Sequence, residues 1–339
     1  MRRRAIPRGE RGAALLAVLI LVAITGAIAA ASMEKLRLSR VVAGNVVAID
    51  QARHFAMGAE QLAMLIVNDL VVQDRTKTTL AGGWNGATRR IPMPGGGIVE
   101  ARLRDGGNCF NVNSVVQGEE TGFVRRTSGV DQFVALMVLR GVPQFDARRI
   151  AEAAADWADA DSETGPGGAE DGAYAAGPQP FRTGNTLFAD VSELRVLAGM
   201  RPETYARISP YLCALPVAEL SPINVNTLLP NQAVLLSALT QGRLSEEAAR
   251  RVLAVRPATG WSNTVEFWRT DVLSGLPVPL DVQQQPRMRT DWFVIDLRSA
   301  MDDSEFFQTV LVDGRFQPVR LVRRRWVREG DQPASGAAG

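Results

Sequence analysis

The hydrophobic pattern begins with one uninterrupted apolar stretch, residues 13–33, which contains no charged side chain. At a rise of about 1.5 Å per residue, a helix of this length spans roughly 30 Å, the thickness of a bilayer's hydrocarbon core. From Glu34 to Asp74, apolar residues recur at mostly helical spacing and proline is absent. This pattern predicts a single transmembrane helix that continues as a long amphipathic helix with one buried stripe.

Alternating apolar and polar residues then predict strands at 98–104, 292–297, 306–312 and 316–327, with a hairpin signal at Asp313-Gly314. Residues 75–97 are rich in turn-forming residues and are predicted to form a loop. Between the first strand and the later ones, short helices are predicted at 130–139, 145–159, 191–197 and 202–212. The predicted fold class is α+β, in which an N-terminal helix packs on an antiparallel sheet and a large all-α domain is inserted.

Charge is concentrated before the apolar stretch, where five arginines in residues 1–12 face a single glutamate, Glu10. By the positive-inside rule, this end stays in the cytoplasm and the rest of the chain lies across the membrane. Without residues 1–12 the formal net charge becomes about −2, so no basic surface for nucleic acid is indicated. The arginines Arg323, Arg324, Arg325 and Arg328 cluster near the C-terminus among apolar residues of a predicted strand. They are interpreted as a solvated sheet edge and not as a binding patch.

The order of these elements, a basic leader, Gly12-Ala13 and a long apolar helix, resembles the leader of type IV pilins and of the pseudopilins of type II secretion. The resemblance implies cleavage by the prepilin peptidase between Gly12 and Ala13, methylation of the new N-terminus, and a helix that is kept for packing in a filament. Most pilins carry Glu at the fifth position after the cut, but this chain has Ala17. In this respect it resembles pseudopilin K (the GspK family). An uncleaved signal anchor of an unrelated single-span protein is the alternative interpretation of the leader.

The resemblance to pseudopilin K implies a non-enzymatic minor pseudopilin that caps the pseudopilus tip and contributes to the export of folded proteins across the outer membrane. The implied partners are minor pseudopilins of the I and J types, the assembly platform and the prepilin peptidase, with secreted cargo or the secretin as possible contacts. The implied location is the inner membrane, with the C-terminal part in the periplasm. The predicted segments are a leader 1–12, a transmembrane helix 13–33, pilin-like parts 34–120 and 288–328, a helical insertion 121–287 and a disordered tail 329–339.

An acidic run places six carboxylates between Asp156 and Asp171, interleaved with glycines. Converging carboxylates repel one another without a cation, and oxygen ligands without neighbouring His or Cys favour Ca²⁺. The spacing does not match an EF-hand loop, but the run Asp-Trp-x-Asp-x-Asp followed by Gly-Ala-Glu and Tyr resembles the calcium-binding loop of pseudopilin K. The resemblance implies the candidate ligands Asp159, Asp161, Glu163, Glu170 and Asp171, with Asp156 and Asp190 as further candidates. A mobile acidic loop and a glycosidase-like carboxylate pair are the alternatives.

Two cysteines, Cys109 and Cys213, are present. Both are predicted to lie in the oxidising periplasm, where a disulfide can form. The sequence leaves open whether they are bonded or are two buried thiols, because it does not determine their separation.

A second block, residues 213–268, resembles both pseudopilin K and helix-hairpin-helix DNA-binding modules. It carries Asn224-Val225-Asn226-Thr227 before a helix, and its turn is Thr240-Gln241-Gly242-Arg243-Leu244-Ser245 in place of a Gly-x-Gly turn that binds phosphate. The resemblance makes a membrane-anchored protein for DNA uptake the alternative function. Because the phosphate-binding turn is missing, nucleic-acid binding is not favoured. The single histidine, His54, excludes a zinc site made of several histidines.

Overall fold

The computed structural model describes residues 8–119, 122–176, 180–301 and 304–327. The first seven residues of the predicted leader and the predicted disordered tail 329–339 lie outside this part. Within it the helices are α1 (Arg8–Gln73), α2 (Thr127–Leu139), α3 (Gln144–Ala158), α4 (Asp171–Ala175), α5 (Pro202–Ile208), α6 (Ala233–Leu239), α7 (Glu246–Ala254), α8 (Thr264–Trp268) and α9 (Leu280–Gln284). The strands are β1 (Thr88–Pro92), β2 (Ile98–Asp105), β3 (Phe110–Asn111), β4 (Val116–Gln117), β5 (Val124–Arg125), β6 (Leu212–Cys213), β7 (Trp292–Met301), β8 (Ser304–Asp313) and β9 (Arg320–Val327).

Helix α1 runs without interruption for 66 residues. It contains an 18-residue stretch with a mean hydropathy of 2.7, none of which is buried inside the protein. Length and composition therefore suit this helix to cross a membrane once, near the N-terminus.

The main sheet is antiparallel and has the strand order β1-β2-β7-β8-β9. Strands β2 and β7 are direct neighbours, with Leu103 opposite Ile295, although the whole helical region lies between them in the chain. Strand β1 falls inside residues 75–97, which were predicted to form a loop, so that prediction was incomplete. As an exposed edge strand, β1 shows no apolar alternation that could reveal it.

Helix α1 packs on the sheet through a stripe of small residues at intervals of three or four. This spacing keeps them on one face of the helix, and the small side chains let the helix backbone approach the strands. The stripe consists of Ala48, Ala52, Ala56, Ala59 and Ala63, all buried, and it continues with buried Val67 and Val71. Opposite it lie Val99, Phe293, Ile295, Leu297, Val310 and Val312 of the sheet.

One charged residue interrupts this apolar contact. Glu60 of α1 is 0% exposed, and both of its carboxylate oxygens accept hydrogen bonds from Arg324 of β9, at 2.8 and 2.5 Å. Gln308 of β8 also donates to Glu60. Because an unpaired buried carboxylate is very costly, this geometry specifies one position of the helix along the sheet.

The helical region contains two similar units, each of which starts with the sequence Asn-Val-Asn. In the first unit the Asn113 side chain accepts from the Phe188 amide at 2.7 Å and donates to the Phe188 carbonyl at 3.0 Å. In the second, the Asn226 side chain brackets Trp261 in the same way, at 2.8 and 2.9 Å. Each unit also contains a helix hairpin, α2–α3 and α6–α7 respectively, and the two hairpins share one core.

The chain leaves the sheet for the helical region at Asp105. This carboxylate is buried and accepts hydrogen bonds from Thr227 of the helical region at 2.6 Å and from Thr290, just before β7, at 2.5 Å. A Cβ atom added to the next residue, Gly106, would lie 2.8 Å from Val294 Cγ2. Close packing against Val294 therefore explains why glycine follows Asp105 at this junction.

Burial raises the pKa of Asp105 from 3.8 to about 6. The folded state thus binds a proton more tightly than the unfolded state, and stability should fall as pH rises through this interval. We expect wild type to lose roughly 2 kcal/mol relative to Asp105→Asn between about pH 4 and pH 7. Chemical unfolding of the full chain in detergent at several pH values measures this difference, and a difference that stays constant with pH would contradict the prediction.

Cys109 and Cys213 are joined by a disulfide bond, with their Cα atoms 5.8 Å apart and a sequence separation of 104. Cys109 follows β2, and Cys213 ends β6 in the helical region. A cross-link that closes a loop of this length restricts the unfolded chain and contributes up to about 4–5 kcal/mol in the chain-entropy model.

Candidate metal centre

The acidic run begins at the carboxyl end of α3. This helix is buried along an alanine-rich face that includes Ala151, Ala154, Ala155 and Ala158, and it ends where the Asp159 amide donates to the Ala155 carbonyl at 2.9 Å. Negative charge at this end of a helix is disfavoured by the helix dipole. The position therefore favours a compensating cation.

Three carboxylates from different parts of the run converge beyond the helix end. One oxygen each from Asp159, Asp161 and Glu170 lie within 4.8 Å of one another. Asp159 and Glu170 are 6% and 5% exposed. Asp159 Oδ1 and Glu170 Oε1 are buried and have no hydrogen-bond partner, so these two oxygens are available as ligands.

The electrostatics of the cluster are unfavourable without a cation. Burial, followed by the charges of Asp161, Asp156 and Glu170, raises the pKa of Asp159 to about 7. Burial also raises the pKa of Glu170, and the nearby Asp156 adds to this effect. A bound divalent cation would remove both causes, because it replaces the lost hydration and neutralises the repulsion.

Asp156 lies beside this cluster and organises its loop. Its two carboxylate oxygens accept from the Gly165 amide at 3.2 and 3.1 Å. A Cβ atom added to Gly168 would lie 2.0 Å from Asp156 Oδ2. The glycines are thus required because the loop backbone wraps closely around this side chain.

The other predicted ligands are not among the three carboxylates whose oxygens converge. Glu163 is exposed, and its amide donates to Asp161 Oδ1 at 2.8 Å. Asp171 Oδ1 accepts from the amide and hydroxyl of Thr183, at 2.8 and 2.9 Å. Asp190 forms an ion pair with Arg325 and accepts from the Ser192 amide at 2.9 Å.

Two residues that the sequence analysis did not single out complete the surroundings. The Thr183 hydroxyl contacts Glu170 Oε2 at 3.1 Å, and the Asn185 side chain donates to the Asp161 carbonyl at 3.1 Å. They lie after the acidic run, in a Thr-Gly-Asn turn that has no charge to mark it. Their position in the site depends on the return path of the chain.

That return path is held by aromatic side chains. Trp157 of α3 packs edge-on against Tyr174 with ring centroids 5.9 Å apart, and stacks on Phe188 at 6.1 Å. Phe181 stacks on Tyr174 at 5.0 Å. These contacts bring residues 181–188 back beside the end of α3.

The turn that resembles a helix-hairpin-helix motif has its backbone amides engaged. The amides of Gln241, Gly242 and Arg243 donate to the carbonyls of Ala238, Ser237 and Thr240, at 2.8, 2.9 and 3.1 Å. The Leu244 amide donates to the Thr240 hydroxyl at 3.1 Å. These four amides are therefore not available to hold a DNA phosphate, and the geometry does not favour the DNA-uptake alternative.

The comparisons with known proteins agree with one another. Two family models, both described as type II secretion system (T2SS) protein K, match residues 108–217 and 223–287. Type II secretion system protein K of Pectobacterium carotovorum is 33% identical over 320 residues, which cover 94% of this chain and 96% of the relative. The protein of the same description from Klebsiella pneumoniae is 32% identical over 325 residues, with the same two coverages of 94% and 96%.

The fold is also similar to a solved structure. A chain in the crystal structure of the GspK-GspI-GspJ complex from the enterotoxigenic Escherichia coli type 2 secretion system aligns with a TM-score of 0.71 and 28% identity. The alignment covers 83% of this chain and 97% of that chain. The α+β class with a long N-terminal helix and an antiparallel sheet is confirmed, and the chain belongs to the protein K family of the type II secretion system, a family of minor pseudopilins.

Proposed function

We propose that this protein is the minor pseudopilin at the tip of the type II secretion pseudopilus, and that it caps the filament during export of folded proteins across the outer membrane. The observation that carries the proposal is that residue 17 is alanine and not glutamate, within the apolar stretch 13–33, whose side chains are exposed. A carboxylate in the bilayer is costly unless it is paired. A subunit without a neighbour above it has no pairing that would favour Glu at this position.

The helical region supports the same position. Along the chain it is inserted between β2 and β7, which are neighbours in the sheet. It adds bulk to one end of a unit whose other end is the exposed helix. A filament shaft packs such helices side by side, and a bulky head is accommodated most easily where no further subunit follows. The tip provides that space.

The proposed processing and location follow from the leader. The prepilin peptidase would cut between Gly12 and Ala13, the new N-terminus would be methylated, and the part after residue 33 would lie in the periplasm. The proposed division of the chain is a transmembrane helix 13–33, a pilin-like unit from residues after 33 and from 288–328, and a helical insertion ending near 287. Packing of Phe110, Val112 and Val115 in the helical core favours a first boundary near Gly107.

The proposed partners are minor pseudopilins of the I and J types. The support is the likeness to a chain from a complex of GspK, GspI and GspJ. The apolar face of α1 that remains exposed before Ala48 is the surface through which neighbouring helices would pack. The assembly platform, secreted cargo and the secretin are proposed as further contacts.

We propose Ca²⁺ as a structural ligand, held by Asp159, Asp161 and Glu170. The ligand set consists of carboxylate oxygens, and two of them are buried without a partner. Hard oxygen ligands of this kind favour Ca²⁺ over transition metals. Bound calcium would neutralise the cluster and link the end of α3 to Glu170.

The tip position is tested by immunogold labelling of pseudopili from cells that overproduce the major pseudopilin, with an antibody against the helical region. We expect label at one filament end only, and loss of secretion when the chain is deleted. The measured mass of the mature protein is expected to match a chain that begins at Ala13. Label scattered along the shafts would contradict the tip position, and an intact leader would contradict the processing.

A further inference from the structure

Strand β9 connects the two parts of the molecule through three consecutive arginines. Successive side chains of a strand point to opposite faces, so Arg324 faces α1, where it binds Glu60. Arg323 and Arg325 face the helical region. The cluster that was interpreted as a solvated edge is therefore engaged on both faces of the strand.

The arginines on the second face bind one short segment of the helical region. Arg325 forms an ion pair with Asp190, and Arg323 donates to the Ala189 carbonyl and, at 3.3 Å, to the Ala214 carbonyl. We call these contacts of Arg323 and Arg325 with residues 189–190 the β9 clasp.

The same segment leads directly back to the acidic cluster. Asn185 donates to the Asp161 carbonyl, and Thr183 contacts Glu170 and Asp171. Between these contacts and the clasp lies Phe188, which Asn113 holds by its amide and carbonyl. The chain from 183 to 190 thus touches the candidate metal centre at one end and β9 at the other.

Comparison of the two helical units shows what the acidic loop adds. In the second unit, the chain passes from the end of α7 to the bracketed Trp261 through residues 255–260. In the first unit, the corresponding path from α3 to the bracketed Phe188 takes residues 159–187. The acidic cluster lies within this longer path, and the clasp with β9 is made by the first unit.

We propose that cation binding at Asp159, Asp161 and Glu170 fixes the 183–190 segment and thereby strengthens the β9 clasp, so that calcium controls how firmly the helical region is docked on the sheet. This inference rests on the calcium site proposed above. Because coupling between two sites is reciprocal, weakening the clasp must weaken calcium binding by the same factor.

The test is calorimetric titration of Ca²⁺ into the full chain in detergent, for wild type and for the double variant Arg323→Gln/Arg325→Gln. Loss of two positive charges by itself makes the chain more attractive to a cation. Coupling to the clasp predicts the opposite change, with a calcium affinity about fivefold weaker in the double variant than in wild type. The matched control is Arg182→Gln, because Arg182 lies 3.9 Å from Asp171 and is exposed; its calcium affinity should be unchanged or higher.

Hydrogen exchange on wild type provides a second measurement that does not depend on a variant. Calcium is expected to slow exchange at residues 183–192 and in β9. If calcium binds but protection stops before Phe188, or if the double variant binds as tightly as wild type, the clasp proposal is overturned and the calcium site stands. If wild type binds no calcium, both proposals are overturned.

Discussion

Replacing Glu60 with alanine is expected to lower the free energy of unfolding by about 3–5 kcal/mol, the largest effect of a single side chain that we predict for this protein. Glu60 is fully buried between α1 and the sheet and receives Arg324 and Gln308. Its removal leaves a guanidinium partly buried without its counter-charge, and an amide without its acceptor. Chemical denaturation of the full chain in detergent, followed by tryptophan fluorescence, measures the loss.

Two controls separate this effect from the simple loss of a surface charge. Glu247 pairs with Arg251 at 3.0 Å, but its side chain is 82% exposed, so Glu247→Ala should cost only about 0–1 kcal/mol. The double variant Glu60→Leu/Arg324→Leu should recover much of the stability, because no unpaired charge remains. Equal losses in Glu60→Ala and Glu247→Ala would show that burial of Glu60 is not what matters.

Calcium at about a thousandfold excess over its dissociation constant is expected to raise the free energy of unfolding by about 4 kcal/mol, because it binds the folded state alone. The variant Asp159→Asn/Glu170→Gln should lose this gain. Without calcium, the variant should be at least as stable as wild type, since it relieves the repulsion among buried carboxylates. Unfolding with calcium and with a chelator measures both differences.

Glu163→Gln is the matched control for that experiment. It removes one carboxylate from the same loop, but Glu163 is exposed and lies outside the convergent set, so the calcium response should be close to that of wild type. The response should also weaken as pH falls below about 7, because a proton competes with the metal at Asp159. A double variant that responds to calcium as wild type does would exclude Asp159 and Glu170 as the ligands.

Much of the fold could be predicted from local periodicity. The long α1 and the strands β2, β7 and β8 each carry an apolar pattern of their own, which is readable without knowledge of the neighbours. Strand β1 could not be predicted in this way, because an exposed edge strand with Pro92 at its end has no covered face. The hairpin at Asp313-Gly314 was predicted, but its connection extends to Arg320.

The candidate site could be predicted only as far as its residue types. The sequence shows six carboxylates and the glycines between them, and the glycine requirement is explained by the close approach to Asp156. It does not show which carboxylates meet. Asp171 and Asp190 are the same residue type as Asp161, yet one binds Thr183 and the other Arg325.

By itself, the sequence determined the long apolar N-terminal helix, the α+β class, Gly12-Ala13 as a candidate cleavage site and the acidic loop, because each is a pattern among residues close together in the chain. Only the tertiary structure decided the pairing of Glu60 with Arg324, 264 positions apart, and the convergence of Asp159, Asp161 and Glu170. Such contacts depend on the path of the intervening chain through a packed core, and side-chain spacing along the sequence does not contain that path.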